Sequence, residues 1–182
     1  MTVGWPRAGP LLGGMIMTKP NLIYILADDM GYGDISALNE NCGFRTPNLD
    51  EMAENGICFT DAHATAAVCT PSRYGILTGR YNWRSRLKSS VMGGYSEPLI
   101  ERGRKTLTDM LKDNGYRTAM VGKWHLGMSF AKEEGFVEKP DFDACDHVDY
   151  AGKIEDSPVS HGFEYFYGIS ASLDMPPYIY RK

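Results

Sequence analysis

The run Asn21-Leu22-Ile23-Tyr24-Ile25-Leu26-Ala27 is apolar at nearly every position and stops at Asp28-Asp29. A strand with one face in water alternates apolar and polar residues, whereas an unbroken run with β-branched content fits a strand buried on both faces, as in a parallel sheet. Gly31 and Gly33 then break the run. The segment therefore predicts an α/β fold, with a mostly parallel central sheet flanked by helices. It also places two adjacent carboxylates at the carboxyl end of a central strand, the edge where open α/β sheets hold their ligands.

The chain downstream supports alternation. Thr46 followed by Pro47, Asp50 and Glu51 reads as a helix start, closed by Gly56. Ile57 to Thr60 reads as a short strand. Pro71 to Thr78 reads as a helix ended by Gly79. Thr106 to Asn114 reads as another, with Leu107, Met110 and Leu111 at core spacing and Gly115 as terminator. Arg117 to Val121 reads as a strand, with Gly122-Lys123-Trp124-His125 at its carboxyl end. Strand–helix–strand–helix–strand order implies a layered α/β architecture. Glu133 to Pro158 is rich in acids, Gly and Pro and reads as loops, and the segment from His161 to Gly168 is aromatic.

Composition excludes several classes. A formal net charge of −4 gives no electrostatic case for nucleic acid, which asks for a basic face. The basic stretch Arg80, Arg84, Arg86 and Lys88 reads as a solvated face. Cys42, Cys58, Cys69 and Cys145 form no CxxC pair and are too sparse for a disulfide scaffold, so they do not reveal the compartment. No run approaches the ~20 apolar residues of a membrane span. Residues 1–19 read as an N-terminal extension or a poor signal peptide. The stretch after Arg7 is short and broken by glycines and a proline, and translation could instead start at Met15 or Met17.

Three clusters could carry chemistry. Cys69-Thr70-Pro71-Ser72-Arg73 sets a cysteine at a helix start, where the helix field favours thiolates and anions. Arg73 offers a planar fork suited to a tetrahedral oxyanion. The same residues also suit a buried structural cysteine beside a surface arginine. Asp28-Asp29 supplies hard oxygens for Ca²⁺ or Mg²⁺, or forms a solvated turn. In an extended strand Lys123 and His125 share a side, with Trp124 packed opposite, or they mark an ordinary strand end. Among the other histidines, His161 reads as a packing or capping residue, His147 as exposed, and His63 carries no assigned role.

Together these residues resemble the type I sulfatases, the arylsulfatase family of the alkaline-phosphatase-like superfamily. Ala67 to Gly79 resembles the first sulfatase signature and Gly115 to His125 the second. Pro20 to Asp29 resembles the family's first strand and acidic pair, and His161-Gly162-Phe163 and Gly168 to Asp174 are also similar. The likeness runs from Pro20 to the end, so residues 20–182 are expected to form the N-terminal portion of a sulfatase catalytic domain.

The resemblance implies hydrolysis of aryl or carbohydrate sulfates. It implies that a formylglycine-generating maturation enzyme reads Cys-x-Pro-x-Arg and oxidises Cys69 to Cα-formylglycine, whose hydrate supplies the nucleophile. It also implies that Asp28 and Asp29, with modified Cys69, bind Ca²⁺, that Arg73 steadies the modified side chain, and that Lys123 binds a sulfate oxygen. His125 acts as base in sulfate release, and Ser172 contacts the substrate sulfate. Family members are periplasmic, secreted or lysosomal. The family completes its metal site with a downstream Asp-Asn pair, and no Asp-Asn dipeptide occurs in this sequence. A truncated, inactive fragment is therefore the expectation for the isolated chain. A related phosphoryl or phosphonate hydrolase and a non-catalytic truncated product are the alternatives.

Overall fold

The computed structural model describes residues 19–137, 139 and 145–179. The proposed extension or leader over residues 1–19 lies outside them except for Lys19. The chain divides into two compact units, Met1–His63 and Ala64–Lys182.

In the first unit helix α1 spans Pro47–Asn55, with Pro47 in the first turn and Gly56 at the C-cap, as the sequence predicts. Thr46 and Ser36 both donate to the Asp50 carboxylate, at 2.8 and 2.5 Å, and the Ala37 amide adds a third bond at 2.9 Å. These hydrogen bonds, led by that from Ser36, hold the Asp50 carboxyl below the ordinary carboxylate range. The expected buried strand over residues 21–27 is not formed. Leu22 to Leu26 lie exposed, Ile23 at 84%. A parallel strand needs a laddered neighbour to satisfy its backbone, and the described residues of this unit contain no strand. The expected strand at Ile57–Thr60 is likewise absent, with Ile57 and Phe59 exposed.

The second unit holds the regular α/β structure. Helix α2 spans Cys69–Thr78, beginning two residues before the predicted Pro71 start. Gly79 closes it with φ 65°, a left-handed C-cap that donates to the Gly75 carbonyl at 2.9 Å. Helix α3 spans Leu107–Asp113. Thr106 accepts from the Asp109 amide while the Asp109 carboxylate accepts from the Thr106 amide, a reciprocal cap. Of the core spacing expected on α3, Leu111 is half-buried, but Leu107 and Met110 are exposed. The buried face is Thr106 and Thr108, whose hydroxyls donate to the His161 carbonyl at 2.9 and 2.6 Å. Those two bonds orient the helix and leave Leu107 and Met110 facing outward.

Strand β1 is Ala119–Lys123, two residues later than predicted. A short antiparallel pair joins β2, Ala131–Lys132, just before the segment read as loops, to β3, Val148–Asp149, inside it. Strand β4, Tyr165–Ile169, forms from the aromatic segment. β1 and β4 pair in parallel with Ala119 opposite Tyr165 and Lys123 opposite Ile169. Amides of Trp124 and His125 continue the ladder to the carbonyls of Ile169 and Ser170, at 3.0 and 2.8 Å. Phe166 turns into a core built with Tyr74, Leu99, Trp124, Leu126 and Met128, while Val121, Tyr165 and Tyr167 remain exposed.

The backbones of β1 and β4 approach closely at Gly168, where an added methyl would collide with the Gly122 carbonyl. Gly168→Ala is therefore expected to destabilise this unit by about 1–3 kcal/mol, the usual cost of overpacking. A drop in the urea midpoint checks it, and an unchanged midpoint would show that the pairing yields without cost.

Candidate active site

Cys69 and Arg73 are four residues apart on α2, so both project from one face of the helix. Lys123 is the last residue of β1. Its ammonium donates to the Cys69 sulfur at 3.1 Å, and the Arg73 guanidinium donates to the Lys123 carbonyl at 2.5 Å. Arg73 thus ties the first turns of α2 to the strand end, while the Lys123 side chain reaches past it to the sulfur. A cysteine at the first position of a ten-residue helix also sits at the positive end of the helix dipole. A lysine cation and the helix N-terminus meet at the Cys69 sulfur, with the Arg73 guanidinium anchored to the strand end beside them.

Two further residues brace this cluster. The Thr70 hydroxyl donates to the His125 carbonyl at 2.9 Å and accepts from the Met92 amide at 3.2 Å. Ser72 donates to the Ala66 carbonyl at 2.8 Å. Nothing in the sequence marks the Thr70 bridge except its position inside Cys-Thr-Pro-Ser-Arg.

His125 follows β1 with φ 59° and is fully buried. It does not continue the extended backbone that would put it on the same side as Lys123. Its Nε2 lies 2.7 Å from the Met92 carbonyl. A carbonyl only accepts, so Nε2 carries a hydrogen, and in the neutral form of the ring Nδ1 is the acceptor. Trp124 is buried, as expected, and its indole N–H donates to the Gly127 carbonyl at 2.8 Å.

Ser172 lies in the turn after β4 and donates to the Asp174 carboxylate. Its neighbour Ser170 is buried at the same end of the sheet, and its hydroxyl has no hydrogen-bond partner among the described residues. His161 packs, as expected: its ring stacks on Trp124 and bonds Asp156 at 2.8 Å. His147 is exposed. His63 is exposed in the first unit and pairs with Asp61. None of the four cysteines is disulfide-bonded.

Asp28 and Asp29 are exposed in the first unit, Asp29 with φ 60°. Their carboxylate oxygens match the hard donors that Ca²⁺ selects, but Ca²⁺ takes ~6–8 oxygen ligands. Among the described residues no group of three or more His, Cys, Asp or Glu is placed to hold a metal. The pair matches such an ion in donor chemistry and is too small a set to hold it alone. No helix among the described residues is long and apolar enough to cross a membrane.

Comparison with known proteins converges on one family. The sulfatase family model matches residues 20–180. The chain is 40% identical over 167 residues to an N-acetylgalactosamine-6-O-sulfatase of Bacteroides thetaiotaomicron, covering 92% of this chain and 30% of that protein. It is 40% identical over 158 residues to human steryl-sulfatase, covering 84% and 24%. A solved chain from work on the metabolism of multiple glycosaminoglycans by Bacteroides thetaiotaomicron superposes with a TM-score of 0.74 at 40% identity, covering 90% of this chain and 31% of that one. The chain thus spans 24–31% of the length of these relatives. The fold class expected from the sequence, alkaline-phosphatase-like α/β, is the fold it shares with them. Sequence likeness and structural likeness lead to the same place: the chain belongs to the sulfatase family.

Proposed function

We propose that this chain carries the nucleophile-bearing part of a sulfuric ester hydrolase that acts on aryl or carbohydrate sulfates, with Cys69 matured to Cα-formylglycine. The observation that carries the reading is the Lys123 ammonium 3.1 Å from the Cys69 sulfur at the N-terminus of α2. That sulfur stands where the matured residue holds its oxygens. A cation-lined helix start is suited to a negatively charged tetrahedral group. The relatives' names span sugar and sterol sulfates, so the sulfate ester is what they share.

In this reading the hydrated aldehyde of the formylglycine made from Cys69 presents two hydroxyls. One attacks the ester sulfur, the S–O bond to the alcohol breaks, and the alcohol leaves with a proton. Lys123 offsets the charge that builds on the sulfate oxygens. His125, a neutral ring with Nδ1 as acceptor, takes the proton of the second hydroxyl. The electron pair of that oxygen then forms the carbonyl, expels sulfate and restores the aldehyde. Arg73 holds the helix start against the strand end, and Ser172 contributes a hydroxyl toward the bound sulfate. Asp28 and Asp29 would contribute carboxylate oxygens to a Ca²⁺ ion, which supplies Lewis-acid polarisation when bound.

The test uses the full-length protein that contains this chain, co-expressed with a formylglycine-generating enzyme. An aryl sulfate is expected to be hydrolysed at least about 100-fold faster in kcat/KM than the matching aryl phosphate. Equal rates, or preference for the phosphate, would overturn the assignment in favour of a phosphoryl hydrolase.

A further inference from the structure

We propose that the Tyr81–Lys88 segment is a second binding site, at the far end of α2 from Cys69, for a sulfated oligosaccharide. The ligand class rests on the sulfatase reading above; the site itself rests on four observations. Tyr81 and Trp83 stack with ring centroids 4.1 Å apart and an interplanar angle of 11°, yet remain 48% and 53% exposed. Two large rings left this far in water form an apolar step with at least one open face.

The step is held rigidly. Asn82 is buried and donates to the Leu87 carbonyl at 3.1 Å, and Ser85 is buried and donates to the Asn82 carbonyl at 2.6 Å. Lys88 crosses back to the Trp83 carbonyl at 2.7 Å, which brings its ammonium beside the indole residue. Pre-formed geometry of this kind lowers the ordering cost of binding.

The charge around the step is uncompensated. Arg80 pairs with Glu101 at 3.1 Å, and Arg86 donates to the Glu97 and Pro98 carbonyls. Arg84 and Lys88 are exposed, and among the described residues neither meets a carboxylate. In a chain of net charge −4, two such cations flanking an exposed indole mark an anion-selective spot.

An aromatic face takes the C–H face of a sugar ring, and an arginine fork takes the oxygens of a sulfate on that ring. Nucleic acid also uses aromatic rings and cations, but its phosphate chain asks for a broad basic face that this chain lacks. The segment follows the C-terminal end of α2, a ten-residue helix about 15 Å long. Contact there is a place to hold an extended chain, separate from the sulfate being cleaved.

The experiment is calorimetric titration of the full-length protein, carrying Cys69→Ala to prevent turnover, with a size-defined chondroitin 6-sulfate hexasaccharide. A hyaluronan hexasaccharide is the unsulfated control and a short single-stranded oligonucleotide the nucleic-acid control. The sulfated sugar is expected to bind, and Trp83→Ala and Arg84→Glu are each expected to raise Kd about 10-fold or more. Thermal melting confirms that both surface variants fold. Unchanged Kd in both variants, no binding of the sulfated sugar, or equal binding of either control would overturn the proposal. Failure of the catalytic reading is seen separately, because it depends on Cys69 chemistry that this titration does not use.

Discussion

Cys69→Ala is expected to abolish sulfate ester hydrolysis by the full-length enzyme, lowering kcat by about 10⁵-fold or more, the scale seen when a nucleophile is removed. Alanine has no sulfur to be oxidised, so no aldehyde hydrate forms and no covalent sulfate ester can be made. The fold should be indifferent to the change. Cys69 is half-buried in the first turn of α2, where alanine is a good helix former, and the Thr70 and Ser72 side-chain bonds that seat this turn are untouched. Aryl sulfate kinetics on the matured variant, beside an unchanged circular dichroism melt, check the claim. Retained turnover within about 100-fold would remove Cys69 from the nucleophile's role.

Lys123→Ala is expected to cost about 10²–10³ in kcat, the range for deleting one group that stabilises transition-state charge. The substitution isolates the ammonium. The bond that Arg73 makes is to the Lys123 backbone carbonyl, and the β1–β4 ladder is a backbone ladder, so both survive. Lys123→Arg is expected to recover only part of the loss, since a guanidinium fork does not occupy the position of a compact ammonium. The discriminating reading is the split between kcat and KM. A group that merely binds the ground state raises KM with kcat unchanged, and that result would make Lys123 a binding residue only.

Much of the active-site cluster was legible because it is local. Pro71 and Gly79 punctuate α2, and the i to i+4 spacing of Cys69 and Arg73 fixes their shared face. Lys123 at a strand end follows from reading Arg117 to Val121 as a strand. What the sequence could not show depends on partners distant along the chain. The run at residues 21–27 has the composition of a buried strand, but a strand exists only with a ladder beside it, and the unit that contains it forms none among the described residues. Leu107 and Met110 have helical core spacing, yet the Thr106 and Thr108 hydroxyls decide the buried face by reaching the His161 carbonyl. β4 hides in Tyr165–Ile169 because its aromatics carry no clean alternation, and register with β1 is what defines it. By sequence His125 continues the extended strand. Its positive φ and the Met92 carbonyl turn the ring inward, a choice made by residues 33 positions away.

The most direct test of the central claim is peptide mass spectrometry across Cys69, on protein co-expressed with a formylglycine-generating enzyme. The peptide is expected to be about 18 Da lighter than its thiol form, as sulfur and two hydrogens leave and one oxygen enters. A peptide at the unmodified thiol mass, in protein that nonetheless hydrolyses sulfate esters, would contradict the account.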